Sequence, residues 1–283
     1  SGILKLFDKQ QALTILKFIG LFGVPAISAS VLITSDVTAM DFDLSLAYLV
    51  VEIFVYLSGA LVARLIFRAR AAESLIVGIA CSFSNHVLFI FPISQFLFDD
   101  VQLQPIKTII ATDVIMLTLS ITALDIVTSA RRTLRTVVIK QVKNPALIGL
   151  IIGFTLLSLP SGVPISLERT SLFVAQAAAP TALFVSGILL SQKSDARNLK
   201  IASVITFHKL ALHPIAAVLF IIWGCGYTFD VAQTTMLVTI APVGLMALTF
   251  APRYNVESGG IVHSMLWTMI LSICLIPVLV VLT

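Results

Sequence analysis

The stretch Ser82-Phe83-Ser84-Asn85-His86-Val87-Leu88-Phe89-Ile90-Phe91-Pro92 lies inside a long apolar run, and its reading decides the fold. An amide, an imidazole, two hydroxyls and a proline within eleven residues make a poor helix surface for lipid. Proline lacks a backbone donor and crowds the preceding turn, so Pro92 is expected to break the helix and free the carbonyls near Leu88 and Phe89. Freed backbone groups beside Asn85 would suit a small polar solute. The alternative is a kinked helix whose polar side chains bond to neighbouring helices. The segment by itself leaves both open.

Working outward, Pro25 and Pro92 interrupt apolar segments 67 residues apart, and Pro180 and Pro242 do the same 62 residues apart in the second half. An odd number of apolar segments separates the two sets, so the second half is expected to repeat the first upside down. Interrupted helices at matching places in inverted halves are a sequence pointer to a carrier's solute site. The counterpart of Asn85–Pro92 is Thr239-Ile240-Ala241-Pro242-Val243-Gly244, whose small residues permit another backbone to approach closely. The two broken helices are expected to cross at mid-membrane with their dipoles bearing on one point, which favours an anion.

Composition places the chain in a bilayer: 58% of residues are hydrophobic, 11% are charged, and mean hydropathy is +1.06. Nine apolar segments run Ala12–Ile33, Leu44–Phe67, Ser74–Phe98, Ile106–Ser129, Asn144–Leu159, Thr170–Leu190, Ile201–Gly224, Val231–Phe250 and Gly260–Leu282. Each is near the ~17–25 residues that span a membrane. Basic residues gather in alternate loops: Lys5 and Lys9, Arg68 and Arg70, five in 131–143, then Lys193, Arg197 and Lys200, and Arg253. The other loops hold Asp36, Asp41, Asp43, Asp99, Asp100, Glu168 and Asp230, with Lys107 and Arg169. Cytoplasmic loops carry the excess of Lys and Arg, so the C-terminus is expected outside, with a bacterial inner membrane favoured. Residues 131–143 read as a basic amphipathic connector on the cytoplasmic surface. Basic residues scattered in this way, without interleaved aromatics, argue against nucleic acid.

The second half has a full helix before its Pro180 helix, starting at Asn144-Pro145. The first half has only about ten residues before its own. Ser1-Gly2-Ile3-Leu4 therefore reads as the inner end of a first helix that is largely missing. The expected architecture is an all-α polytopic membrane protein with two inverted repeats of five helices, 1–130 and 144–283, joined by the connector.

Several ionisable residues fall inside the spans. Glu52 cannot stay ionised against lipid, so it must be protonated, paired or facing water. Lys17 is placed to snorkel. Asp113 is a candidate for ion coupling unless it reaches solvent, and Asp125 is expected to pair near the surface with Arg131. Lys209 and His213 share one helix face. Lys209 would either attract a carboxylate or satisfy carbonyls freed by Pro214. His86 titrates near neutrality and is a candidate proton carrier or a plain hydrogen-bond donor.

Asn85 with Pro92 seven residues on, Asn144-Pro145 after a basic stretch, Ala177-Ala178-Ala179-Pro180 with Ser186-Gly187, and Ala241-Pro242 together resemble the auxin efflux carrier family. The resemblance spans essentially the whole chain. It implies a PIN-like fold related to bile acid sodium symporters, a scaffold part and a transport part, and a site where two broken helices cross. It also implies organic anions as substrates, auxin in plants and malonate or malate in bacteria. Val87 and Ile90 stand where many members have glycine, and His86 where a small residue is common. The Asn-His-Val-Leu-Phe run is similar to the malonate-transporter branch, and the long central loop of plant exporters is lacking.

The expected activity is alternating-access transport of a small carboxylate, a short dicarboxylate such as malonate being favoured. The alternatives are an auxin-like monocarboxylate exporter or a ligand sensor on the same fold. Substrate contacts are expected from Ser84, Asn85, His86, Pro92, Ala241, Pro242, Val243 and Lys209, and ion coupling from His86, Glu52 or Asp113. No cofactor is expected beyond a coupling proton or sodium ion. The expected partners are the anion and the bilayer, with a homodimer left open. Cys81, Cys225 and Cys274 form no disulfide or metal pattern, and the chain carries none of the enzyme motifs sought.

Overall fold

The computed structural model of the protein describes residues 7–34, 40–128, 145–160, 162–190 and 196–282. The first-helix remnant at Ser1–Leu4 and the connector 131–143 lie outside the described residues. Among the described residues the chain is helical, and the one β-type pairing is an isolated bridge between Ser84 and Val243. Five helical stretches are long and apolar enough to cross a membrane: Gln10–Ile33, Phe42–Leu65, Gln104–Thr128, Ala196–Gly224 and Gly259–Val281. The protein is an all-α polytopic membrane protein.

The residues divide into two compact units, Ser1–Met40 with Asp113–Gln192, and Asp41–Thr112 with Lys193–Thr283. Each unit draws on both halves of the sequence. In the first, α1 (Lys9–Phe18) and α2 (Val24–Ile33) form one continuous helix through a π turn, Ile19–Gly23. They pack with α7 (Pro145–Leu157) and α8 (Ile165–Leu190). Gly149 lets α7 meet the backbone of Pro25, where a Cβ would collide with it. The Ser171 hydroxyl of α8 donates to the Ala26 carbonyl at 3.0 Å. α8 runs through Pro180 as an uninterrupted helix, so this proline is not a break.

The second unit contains α3 (Phe42–Leu65), α4 (Ala71–Ser82), α5 (Phe91–Leu97), α9 (Ala196–Phe207), α10 (His213–Ala217), α11 (Phe229–Thr239), α12 (Met246–Arg253) and α13 (Gly259–Leu282). It also holds the first turns of α6 (Gln104–Thr128). Asp41 caps α3 by accepting from the Leu44 amide at 2.9 Å, a bond of a type that stabilises a helix by about 1 kcal/mol. α3 has two faces. Leu46, Val50, Phe54, Leu57, Leu61 and Leu65 are exposed, while Tyr48, Glu52, Val55, Tyr56 and Gly59 are buried. The exposed stripe follows helical spacing and suits lipid. On the buried face a Cβ at Gly78 would stand 2.7 Å from the Tyr56 carbonyl, so α4 packs backbone-close on α3.

Charged residues gather at the two ends of this unit. At one end Arg197 pairs with Glu73 at 2.7 Å, Arg70 donates to the Asn255 carbonyl at 2.9 Å, and Asn198 donates to Glu257 at 3.0 Å. At the other end Asp41 and Asp43 lie beside Tyr227.

Three of the prolines sit two residues after a π turn. The turns are Ile19–Gly23 before Pro25, His86–Ile90 before Pro92, and His208–Leu212 before Pro214. In each, the residue just before the proline donates five back: Val24 to Ile19, Phe91 to His86, His213 to His208. The wider turn moves the carbonyl that the proline ring would strike, so the helix bends without breaking.

Candidate functional site

The true interruptions lie at 83–85 and 240–245. α4 stops at Ser82, and Phe83 turns extended with φ −60° and ψ 124°. α11 stops at Thr239, because Pro242 disfavours helix at Ala241 and offers no amide of its own. The two freed strands bond to each other. Asn85 donates its amide to the Pro242 carbonyl at 2.8 Å, and Gly244 donates to the Phe83 carbonyl at 2.9 Å. Ser84 and Val243 face one another between those bonds. A Cβ at Gly244 would stand 3.0 Å from the Ser84 oxygen, so only glycine fits comfortably at this approach.

This corrects the expectation that Pro92 breaks the first helix. Pro92 is the second residue of α5 and follows its π turn. The carbonyls near Leu88 and Phe89 therefore lie within a continuous helical stretch, while the break precedes Asn85. Its cause is pairing with the second break, which satisfies backbone groups that lipid cannot.

α13 supports the second break. Ser264, Thr268 and Ser272 are fully buried at four-residue spacing. Thr268 accepts from the Val243 amide at 3.1 Å, and Ser272 donates to the Ile240 carbonyl at 2.6 Å.

Beneath the crossing lies Lys209, with no exposed surface. Its ammonium donates to the Ser82 carbonyl at 3.1 Å, to the Ser84 hydroxyl, and to His213 Nδ1 at 2.9 Å. Ser84 passes its own proton to the Val238 carbonyl at 2.7 Å. The Tyr48 hydroxyl lies 3.3 Å from Ser84, and the Tyr48 ring packs on His213 at 5.5 Å. Three ammonium protons meet these three acceptors. Lys209 satisfies the end of α4, not carbonyls freed by Pro214.

Glu52 is fully buried on the same face of α3 as Tyr48, one turn on. Its carboxylate oxygens accept no hydrogen bond from the described residues, and it feels the charge of Lys209 through space. That charge also reaches Cys81, His86 and His213. His86 is buried where the π turn starts and bonds to the Ser84 backbone.

Asn85 differs from its neighbours in being only half-buried. Its side chain caps no helix, and its side-chain amide makes no hydrogen bond with the described residues. The structure thus brings together Ser84, Asn85, Ala241, Pro242 and Val243, with His86 and Lys209 adjoining them. Pro92 lies seven residues past Asn85 in α5, and the buried Asp113 belongs to the other unit. Sequence reasoning missed Tyr48, Thr268 and Ser272. The small hydroxyls recurring every fourth residue along α13 were the available signal. Among the described residues no three His, Cys, Asp or Glu side chains group to hold a metal.

A family described as "Membrane transport protein" matches residues 125–280, more than half of the chain. The chain belongs to this family. It is the auxin efflux carrier family that the proline and asparagine motifs resemble, and the matched residues include Lys209, the second break and the α13 hydroxyls. A protein of Rhizobium meliloti (strain 1021) named "Putative malonate transporter" is 31% identical over 110 residues. That similarity covers 39% of this chain and 34% of the relative's length, so the chain matches about a third of that protein.

Proposed function

We propose that this membrane transport protein is a secondary carrier for small organic carboxylates, with malonate as the favoured substrate. The observation that carries the proposal is the half-buried Asn85, with its unbonded side-chain amide, at the crossing of two interrupted helices. The helical stretches after both breaks start here, so their positive ends favour an anion. The Asn85 amide can donate to one carboxylate oxygen, and Lys209 adds a positive field from below. Ser84, His86, Ala241 and Val243 shape the remaining wall, and the name of the Rhizobium relative supports a short dicarboxylate.

In this proposal the two units alternate access by moving against one another, and the halves 1–130 and 144–283 are the inverted repeats. The basic end of the second unit faces the cytoplasm of a bacterial cell, as the charge bias favours. Coupling runs to a proton or sodium ion through His86, Glu52 or Asp113, without enzymatic chemistry.

The test is uptake of labelled malonate into proteoliposomes under imposed proton or sodium gradients. Wild type is expected to take up malonate. Asn85→Ala, which removes a charge-assisted bond worth about 1.5–3 kcal/mol, should weaken apparent affinity roughly 10–150-fold in a folded protein. Unchanged affinity in a folded Asn85→Ala variant would place the substrate elsewhere, and absence of flux with any gradient would overturn the transport reading.

A further inference from the structure

Two helix C-termini bring negative potential to one side of the crossing, opposite the positive ends of the stretches that start there, and the chain balances it with its own side chain. α4 and α11 both end there. Each helix C-terminus carries roughly half a negative charge, so two ends bring about one. Broken-helix carriers commonly set such ends and unwound carbonyls around a coupling cation. Here the Lys209 ammonium holds the Ser82 carbonyl of α4 directly and reaches the Val238 carbonyl of α11 through the Ser84 hydroxyl. One ammonium therefore ties together two helix ends that belong to different halves of the sequence.

We infer that Lys209 is a built-in counter-ion that occupies the place of a bound metal cation at the crossing, so that the crossing closes without sodium and, of the two coupling ions left open above, the proton is the one used. Its surroundings fit this role. His213 Nδ1 accepts the third ammonium proton, which fixes the imidazole proton on Nε2. Glu52 is the acidic side chain buried on the same face of α3 as Tyr48, one turn on. The Tyr48 ring closes over His213. Lys209 is thus a positioning residue: it holds Ser84, and through Ser84 the strand that presents Asn85. The consequence for flux rests on the transport reading, whereas the charge balance stands on geometry alone.

Thermal unfolding of the full chain in detergent separates the two. Wild type is expected to melt at one temperature in sodium and in choline buffers. Lys209→Met keeps the side-chain length without its charge, and should lower Tm by about 5 °C or more in both buffers. Lys209→Ala leaves room for a small cation, so methylammonium should restore at least half of its lost Tm while leaving Lys209→Met unchanged. Any of three results overturns the inference: sodium raising the wild-type Tm, Lys209→Met melting like wild type, or methylammonium failing on a folded Lys209→Ala. If Lys209→Ala does not fold, the sodium comparison and Lys209→Met decide alone. None of these measurements uses malonate, so a failure of the substrate reading leaves them intact.

Discussion

Gly244 shows how narrowly the site is built at the scale of single residues. A methyl group there would meet Ser84 backbone atoms at 3.0 and 3.2 Å and the Phe83 oxygen at 3.3 Å, and backbone cannot swing aside as a side chain can. Gly244→Ala should cost about 1–3 kcal/mol and abolish malonate uptake. Gly20→Ala, where nothing lies within 4 Å, should melt like wild type or slightly higher. Equal Tm for the two variants would show that the strands are not held this close. Asn85, Ser84 and Pro242 were legible in the sequence because polar groups and proline are conspicuous in an apolar run. His213 beside Lys209 was legible from its four-residue spacing, whereas the backbone carbonyls that the ammonium serves, directly at Ser82 and through Ser84 at Val238, were not, because every residue possesses one. Only the fold selects Ser82 and Val238 among them.

Among the elements, apolar run length located the spans well: 44–67 in the sequence against Phe42–Leu65 in the structure, and 106–129 against Gln104–Thr128. The meaning of the prolines was less legible. A proline removes one hydrogen bond wherever it stands, but whether a π turn absorbs the loss depends on the residues before it and on neighbouring helices. Pro92 is absorbed and Pro242 is not. Pro92→Ala is therefore expected to keep the break at 83–85, since cross-pairing and not proline sustains it. Hydrogen exchange at the Asn85 amide, which donates to Pro242, should stay as slow in Pro92→Ala as in wild type. Fast exchange there would return the cause of the break to Pro92.

For the whole molecule, the chain forms two compact units, each assembled from both sequence halves. Hydropathy could locate long apolar helices but could not sort them between the units, because that sorting depends on which small-residue faces meet. The central claim is that the crossing at Asn85 is the solute site and opens to both sides of the membrane in turn. Replacing the exposed Cys225 and Cys274 by serine leaves the buried Cys81, and Asn85→Cys then places a single reactive thiol at the crossing. Its rate of labelling by an impermeant maleimide, applied to one face of the membrane at a time, is the most direct measurement. The account predicts labelling from either face. Labelling confined to one face would contradict it.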